Sequence, residues 1–332
     1  MDKKLAQLIS DYQVSVSAAL RFMQKSGIPL PLTAIDWAEN DLPRYGELDG
    51  SIGYYKHGAG CAVSLPTGKI DFDFGEQGEI DGFDLWGLTC FAGSRLVEYG
   101  FDKKAVLEDS FSAAAKSGSL VVSGHSLYYV ADSASERLLS VELLKILQND
   151  SLPHTSRDSV LLLYTSCYLS ADLMRENYLK LDRKIKTNSY LSQNDQVKFR
   201  IYLFSWLGYL HETSEGFKKL QMRLLLQHKR PEDFHELLAK SDAVGKIRKL
   251  YRDELRKLRH SVFHSRDDNK AIGAFFDKDA KRLFWAGQLH AAIAEFLSEY
   301  RICCEVHYLS NGRLGESQIR AESLKRRRTI TT

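Results

Sequence analysis

Proline and long hydrophobic runs are both scarce in this chain. Only six of the 332 residues are proline, and a single one, Pro231, follows Pro153. Apolar runs extend over a few residues, as at 160–164, whereas a membrane-spanning helix needs about 20. The sequence therefore argues against a transmembrane segment, and the scarcity of proline in the second half is compatible with long helices.

Cysteine is also infrequent and poorly spaced for cross-links. The five cysteines are Cys61, Cys90, Cys167, Cys303 and Cys304. Their number is odd, none of them forms a CxxC pair, and the last two are adjacent. This pattern argues against a disulfide framework or a zinc knuckle and favours a reduced, cytoplasmic protein. The N-terminus, MDKK, leads into an amphipathic pattern without an apolar signal core, so we do not expect export.

The composition is that of a globular protein in which charge is unevenly distributed. Apolar residues make up 44% of the chain and charged residues 27%, which excludes wholesale disorder. Residues 1–150 carry 13 Lys and Arg against 21 Asp and Glu, a net charge of −8. Residues 151–332 carry 33 against 22, a net charge of +11. Opposite charges indicate two modules, and the basic module is a candidate for binding a polyanion.

Helical patterns begin the chain and recur through its first half. Apolar residues at 4–26 repeat with the spacing of an amphipathic helix, which Gly27 ends. Shorter helices are predicted at 33–40, 103–117 and 135–148.

Between these helices the sequence predicts β-hairpins. Apolar residues alternate with aspartates at 69–74, and a turn at 65–68 joins this strand to residues 61–65. A second hairpin is predicted at 120–130. Residues 1–148 are therefore predicted to form a small, acidic α+β domain.

The second half is nearly all helical in pattern. Only seven of the 22 glycines lie after residue 153. Helices are predicted at about 158–181, 194–228, 243–264 and 277–309. The predicted fold class is thus an α+β N-terminal domain followed by an all-α helical bundle at 149–312, with a polar, basic tail at 313–332.

One segment of the predicted bundle carries residues suited to acid–base catalysis and to phosphate binding. Residues 246–266, KIRKLYRDELRKLRHSVFHSR, hold eight Lys or Arg and two His against two acids. Imidazole, with a pKa of about 6.5, can act as an acid or a base at neutral pH, and guanidinium offers a phosphate a permanently charged fork. These groups fit metal-independent RNA cleavage, which needs a base for the 2′-hydroxyl and an acid for the leaving oxygen.

Two other interpretations of this segment stay open. In the first, His260 and His264 are solvated or structural residues near a helix end. In the second, they form half of a zinc site, for which Asp267 and Asp268 are the nearest candidates as further ligands. Composition and spacing alone do not decide between these interpretations and catalysis.

The same segment resembles the signature of the HEPN family (higher eukaryotes and prokaryotes nucleotide-binding). The hexapeptide at 259–264, RHSVFH, has that family's pattern of arginine, a polar residue, three residues and histidine. The helix with WLGYL at 206–210 and EGF at 215–217 resembles the family's long second helix, so the resemblance covers about residues 150–310. It implies an all-α bundle and a metal-independent endoribonuclease that uses no cofactor.

The resemblance also implies roles for individual residues. Arg259 and His264 are the expected catalytic pair, and His260 stands at the polar position, where the family most often has Asn or Asp. Further basic residues are expected to bind RNA: Arg252, Arg256, Lys257 and Arg266. The implied partners are RNA, including tRNA, and a second copy of the chain, because two copies of the motif form one site across a homodimer. No metal and no membrane are implied.

Proteins of this kind are often toxins or antiviral effectors. The first hypothesis is therefore a cytoplasmic bacterial ribonuclease of a toxin–antitoxin or antiviral defence system. The alternative is a non-catalytic HEPN-like scaffold that binds or dimerises and serves as an immunity or antitoxin protein.

The first half is similar to an uncharacterised bacterial domain seen near toxin and immunity genes, on the runs IDFDFG at 70–75 and IDGFDLW at 80–86. This similarity supplies no mechanism, but it makes a protein partner for the N-terminal domain an expectation. Five polar residues there are candidates for a metal site or a carboxylate dyad, namely His57, Asp71, Asp73, Asp81 and Asp84. In the alternative interpretation the first two aspartates lie on the solvent face of a strand and the last two are turn or helix-cap residues.

Overall fold

The computed structural model describes residues 1–123, 126–131, 137–263, 269–277 and 281–319. The chain divides into two compact units, of which the first comprises Met1–Asp150 and Glu305–Thr332 and the second Ser151–Cys304. The predicted order, an α+β region followed by a helical region, is confirmed. Of the helices in the described ranges, none combines the length and the hydrophobicity that crossing a bilayer requires.

The first unit is built from helices around a small antiparallel sheet. Its elements are α1 (Lys3–Lys25), α2 (Ala34–Glu39), β1 (Tyr45–Leu48), β2 (Ile52–His57), β3 (Gly60–Leu65), β4 (Gly68–Asp73), α3 (Leu85–Ala92), α4 (Lys104–Lys116), β5 (Leu120–Val122), β6 (Tyr128–Val130) and α5 (Leu143–Gln148). The first four strands pair in chain order, and β5 pairs with β6. Both predicted hairpins are confirmed, whereas β1 and β2 lay outside the sequence prediction.

The core of this unit follows from two periodicities. Helix α1 buries one stripe of apolar side chains, including Leu8, Tyr12 and Val16, and Asp2 caps its first turn. In β4 the side chains of Ile70 and Phe72 are buried, as the alternation with aspartates predicts. The predicted helix at 135–148 is shorter in the described residues, because a 3₁₀ turn precedes α5.

The residues after Cys304 belong to the first unit and differ from the predicted bundle end and polar tail. Arg313 is almost fully buried, and its guanidinium donates to Glu316 and to Asp150 over 2.7 Å in each case. Glu316 in turn accepts from the side-chain amide of Gln24 in α1 at 2.8 Å. This buried polar network holds the segment against the first unit, because each charged group would lose its partner if the segment left.

The second unit consists of helices and turns in its described residues. Its elements are α6 (Ser159–Leu163), a π-helical segment (Tyr164–Tyr168), α7 (Leu169–Asn188), α8 (Gln193–Lys219), α9 (Met222–His228), a 3₁₀ segment (Glu232–Leu237), α10 (Leu238–Lys249), α11 (Arg252–Phe263), α12 (Asn269–Phe275) and α13 (Arg282–Ser310), which continues into the first unit.

Two helices that the sequence predicts as continuous are interrupted. The helix predicted at 194–228 breaks at Gln221, whose φ of +49° is left-handed. The helix predicted at 243–264 breaks between α10 and α11. There the carbonyl oxygen of Ile247 accepts from the indole Nε1 of Trp285 at 2.6 Å and from the amide of Leu250 at 3.2 Å. In an uninterrupted α-helix that oxygen would accept from the amide of Tyr251. A tight backbone turn and a tertiary hydrogen bond therefore take the place of the α-helical one.

Buried polar contacts fix the helices of this unit. Asp158 caps α6 and accepts from the Tyr300 hydroxyl at 2.6 Å and from Arg230 at 3.1 Å. In the first third of α13, His290 accepts at Nδ1 from the indole of Trp206 at 3.3 Å, and its Nε2 lies 3.0 Å from Asp172. These contacts connect segments that are far apart in the sequence.

Candidate functional site

Helix α11, which carries residues 259–263 of the arginine–histidine motif, packs against α8 at a glycine. A β-carbon added at Gly208 would lie 2.5 Å from Cε2 of Phe263, so only a residue without a side chain fits without movement. One helical turn further along α8, Glu212 faces Arg259 of α11. The two contacts run in opposite chain directions, so the helices are antiparallel here.

Arg259 forms an ion pair within this contact. Its Nε lies 3.1 Å from Oε1 of Glu212, and 28% of the arginine side chain remains exposed to solvent. The same carboxylate oxygen lies 3.3 Å from Nδ1 of His211. Glu212 therefore joins a guanidinium from α11 to an imidazole from its own helix.

His211 is a buried histidine of α8 that is hydrogen-bonded to Glu212. Burial lowers its pKa below the ordinary value, although the carboxylates of Glu212 and Glu215 act in the opposite direction. Its other ring nitrogen, Nε2, has no hydrogen-bond partner within the described part of the chain. At neutral pH this ring is therefore uncharged beside the Arg259 guanidinium.

A second arginine–glutamate pair follows on α8. Glu215 accepts from the guanidinium of Arg248, which comes from α10 and is only 6% exposed. Burial tends to raise the pKa of Glu215, but the hydrogen bond and the positive charge of Arg248 outweigh it, so the pKa is lowered. Two acids three residues apart on α8 thus each hold an arginine from the basic segment.

The remaining predicted site residues are distributed around α11. Arg252, Arg256 and Lys257 are exposed, and His260 is half-buried. Arg252 Nε lies 3.3 Å from the neighbouring Asp253. His264 and Arg266, as well as the possible zinc ligands Asp267 and Asp268, lie outside the described residues. The structure therefore describes Arg259 and His260 of the expected catalytic residues.

Sequence reasoning missed the acidic partners of the motif. Glu212 and Glu215 carried no signal in the local pattern around 259–264, because they lie on another helix more than 40 residues away. The signal that was available is the placement of two acids and a histidine beside the apolar stripe of a predicted long helix.

The polar cluster of the first unit separates into different contacts. His57 Nε2 lies 2.8 Å from Asp71, and its Nδ1 lies 3.8 Å from Asp73. Asp84 caps α3 through the amide of Gly87, and Asp81 lies 3.9 Å from Arg137. Within the described ranges, no group of three or more His, Cys, Asp or Glu side chains is arranged to hold a metal ion.

Comparison with known proteins reaches only the first unit. Residues 5–130 match the model of a family described as a domain of unknown function (DUF6896), and this range extends from α1 to the end of β6. No curated protein and no solved structure matches the chain. The match is to a family without an assigned activity, so the chemistry of the α8–α11 contact has to be argued from its residues.

Proposed function

We propose that the helical unit is a metal-independent endoribonuclease of HEPN type. The observation that carries this proposal is the state of Arg259. Its side chain is partly exposed on α11, and its Nε lies 3.1 Å from the Glu212 carboxylate that orients it. Arg259 precedes His264 by five residues. An arginine that is already oriented loses less side-chain freedom when it engages a phosphate.

The ion pair with Glu212 is compatible with phosphate binding. A guanidinium carries several N–H donors in a planar fork, and Glu212 faces it at Nε. When a guanidinium binds a phosphate in bidentate fashion, two of these N–H groups donate to two phosphate oxygens. In this proposal Glu212 is a positioning residue for Arg259 and takes no part in the chemical step.

The reaction that we propose is transesterification within the RNA backbone. The 2′-oxygen loses its proton and attacks the adjacent phosphorus, the bond from phosphorus to the 5′-oxygen breaks, and the 5′-oxygen is protonated. His264 acts as general acid/base, and Arg259 stabilises the charge on the phosphate. His260, Arg256 and Arg252 orient the site or bind the backbone, and Lys257 and Arg266 add further backbone affinity.

A complete site in this proposal needs two chains. The motifs of two copies meet across a symmetric homodimer, so each scissile phosphate is enclosed by residues of both. Sedimentation of the full-length protein tests this part directly. A monomer at concentrations where RNA cleavage is observed would contradict the composite site.

The decisive experiment is cleavage of total RNA and of tRNA by the purified full-length protein in EDTA. Arg259→Ala and His264→Ala should each reduce the rate by at least about 100-fold. Lys180→Ala, which removes an exposed lysine on α7, is the matched control and should retain the rate. Cleavage that survives His264→Ala unchanged would remove that residue from the mechanism.

Expression in bacteria tests the biological side of the proposal. As a toxin or antiviral effector acting on cytoplasmic RNA, the wild-type chain should slow growth, and Arg259→Ala should relieve the effect. A protein partner of the first unit that restrains the toxicity would fit an antitoxin or immunity pairing.

A second candidate function has one observation in its favour. The Arg259–Glu212 ion pair joins α11 to α8, and its role can be to stabilise the packing of these two helices and nothing more. A HEPN-like scaffold that binds or dimerises without catalysis, as an immunity or antitoxin protein would, needs no more than this. In that case expression is harmless, and Arg259→Ala alters stability while RNA stays intact in every assay.

A further inference from the structure

One face of the four-stranded sheet in the first unit carries rings and carboxylates that none of the roles above uses. The pairing register places Tyr45, Tyr55 and Asp71 on one row across the sheet. His57 and Asp73 lie two residues further along their strands and therefore point to the same face. These five residues are called the tyrosine–carboxylate face below. The opposite face of the sheet is packed into the core of the unit.

The rings of this face form a continuous ladder. Tyr45 and Tyr55 stack with their ring centroids 4.7 Å apart and an angle of 25° between the planes. The rings of Tyr55 and His57 follow at 5.7 Å. Because 71% of Tyr45 and 37% of Tyr55 are exposed, the ladder presents ring surface to solvent. Contiguous exposed aromatic surface on a globular domain is typical of a binding site.

Two carboxylates lie at the end of this ladder. Asp71 and Asp73 flank the His57 ring, and their side chains remain 20% and 45% exposed. A β-carbon added at Gly60 would collide with the Asp73 carboxylate and with the His57 ring. The glycine therefore leaves room for both side chains to lie over β3, where the carboxylates stay beside the rings.

The surroundings of the face are acidic. Residues 33–90, which contain α2, the four strands and α3, carry 11 Asp and Glu against three Lys and Arg. The rest of residues 1–150 carries ten of each, so the net charge of −8 of the first half comes from the segment around the sheet. Of its three cations, Lys56 is buried and donates to the carbonyl oxygens of Ala38 and Asn40. This charge attracts cations and repels the phosphates of a nucleic acid.

The size of the face suits a short segment of chain. Strands β2, β3 and β4 are six residues long. With about 3.3 Å per residue and about 4.8 Å between strands, the sheet offers about 15 by 20 Å. This area of about 300 Å² is well below the roughly 800 Å² that each partner buries in a standard protein–protein interface. The face therefore accommodates a segment of a few residues better than a whole domain.

We propose that the tyrosine–carboxylate face binds an arginine-rich segment of a partner protein. A guanidinium is planar, so it can stack on a tyrosine ring while its N–H groups donate to a carboxylate beside that ring. The compact, strongly hydrated ammonium of lysine fits this combination less well. The proposal gives a chemistry to the protein partner expected for the N-terminal domain. It does not depend on the nuclease activity, because all of its residues belong to the first unit.

The test is fluorescence anisotropy on the full-length protein with labelled octapeptides in which glycine alternates with arginine, lysine or glutamate. The arginine peptide should bind, the lysine peptide should bind at least about fivefold more weakly, and the glutamate peptide should not bind. Tyr45→Ala and Asp73→Asn should each raise the Kd for the arginine peptide by about fivefold or more. Tyr45→Phe retains the ring and should stay within about twofold of wild type.

Matched controls remove the same groups from exposed positions elsewhere. Tyr190→Ala in the second unit and Asp109→Asn on α4 should leave the Kd within about twofold of wild type. Absence of binding by the arginine peptide, equal binding of the lysine peptide, or a Kd unchanged in Tyr45→Ala and Asp73→Asn would overturn the proposal. If an oligouridylate binds with an affinity that Tyr45→Ala abolishes, the rings stack on bases and the arginine proposal is wrong.

Discussion

Arg259 of α11 and Glu212 of α8 form an ion pair in which Nε and Oε1 are 3.1 Å apart. The same carboxylate faces the buried ring of His211. The arginine of the motif is therefore already oriented before any ligand binds, and the orientation is supplied by a different helix. The ion pair connects α8, whose sequence indicated only a long helix, to the basic segment at 246–266, whose sequence indicated catalysis.

The first prediction concerns the carboxylate itself. In Glu212→Gln the pKa of His211 should fall further below its ordinary value, because burial then acts with less opposition from a negative charge. An NMR titration of the His211 ring measures the shift. Glu295→Gln, which removes an exposed carboxylate on α13, should leave it unchanged, and an unchanged pKa in Glu212→Gln would show that the pair does not form in solution.

The second prediction compares two helical glycines. Gly245→Ala should stabilise the helical unit by about 0.5–1 kcal/mol, because alanine favours a helix and the added β-carbon meets open space. Gly208→Ala should gain nothing or destabilise, because the ring of Phe263 must move away. Under the proposed function it should also slow RNA cleavage.

Urea unfolding of both variants checks these changes in stability. Equal stabilisation by the two substitutions would contradict the close approach of α8 and α11.

The third prediction concerns the buried network at the start of α6. Asp158→Ala should lower the free energy of unfolding by about 3–5 kcal/mol, because it leaves the buried Arg230 guanidinium without its acid. Tyr300→Phe should lower it by about 1–3 kcal/mol through the loss of the hydroxyl that donates to Asp158. Denaturant unfolding followed by circular dichroism measures both.

The matched control for this network is Asp182→Ala, which removes the partner of the largely exposed Lys186. An exposed pair of this kind contributes about 0–1 kcal/mol. If Asp158→Ala costs no more than the control, the network is not formed as described.

The fourth prediction is that stability depends on pH with opposite signs at two histidines, His57 in the first unit and His290 in the second. The hydrogen bond to Asp71 raises the pKa of His57 above about 6.5, although burial acts against it. The stability from this pair is therefore fully present below about pH 6.5 and is lost as the pH rises through the raised pKa. Asp71→Asn should cost more stability at about pH 5.5 than at about pH 8.5.

His290 should respond in the other direction. Burial lowers its pKa, and Trp206 donates to its Nδ1, so the neutral ring is the form that the fold accommodates. The contribution of the neutral His290 ring to the stability of the fold is present above about pH 6.5 and is lost as the pH falls through the lowered pKa. NMR titration of the two rings in the wild-type protein should give pKa values on either side of about 6.5, and equal values would contradict both environments.

Local periodicity made much of the fold predictable. The stripe of α1, the alternation in β4 and the tight turn between β3 and β4 are each decided by neighbours within a few residues. The same holds for the cap of α3 by Asp84. The basic segment at 246–266 could likewise be singled out from composition, because charge and residue type need no contacts to be visible.

The candidate site was predictable only in part. Arg259 and His260 were found from the motif, but the partner that orients Arg259 was not, since Glu212 is distant in the sequence. The break before α11 was also hidden, because it depends on a hydrogen bond from Trp285 to a carbonyl that a helix would otherwise use.

The sequence by itself thus determined the helix α1, the two hairpins β3–β4 and β5–β6 and the helical character of the second half, as well as which half of the chain is basic and which short motif carries an arginine and a histidine. Only the tertiary structure decided where helices stop, which acids hold Arg259 and Arg248, and that residues after Cys304 rejoin the first unit. The physical reason is the separation along the sequence of the residues that interact. Periodicity and turn chemistry act between neighbours, whereas buried ion pairs and indole hydrogen bonds join residues that meet only after the chain has folded.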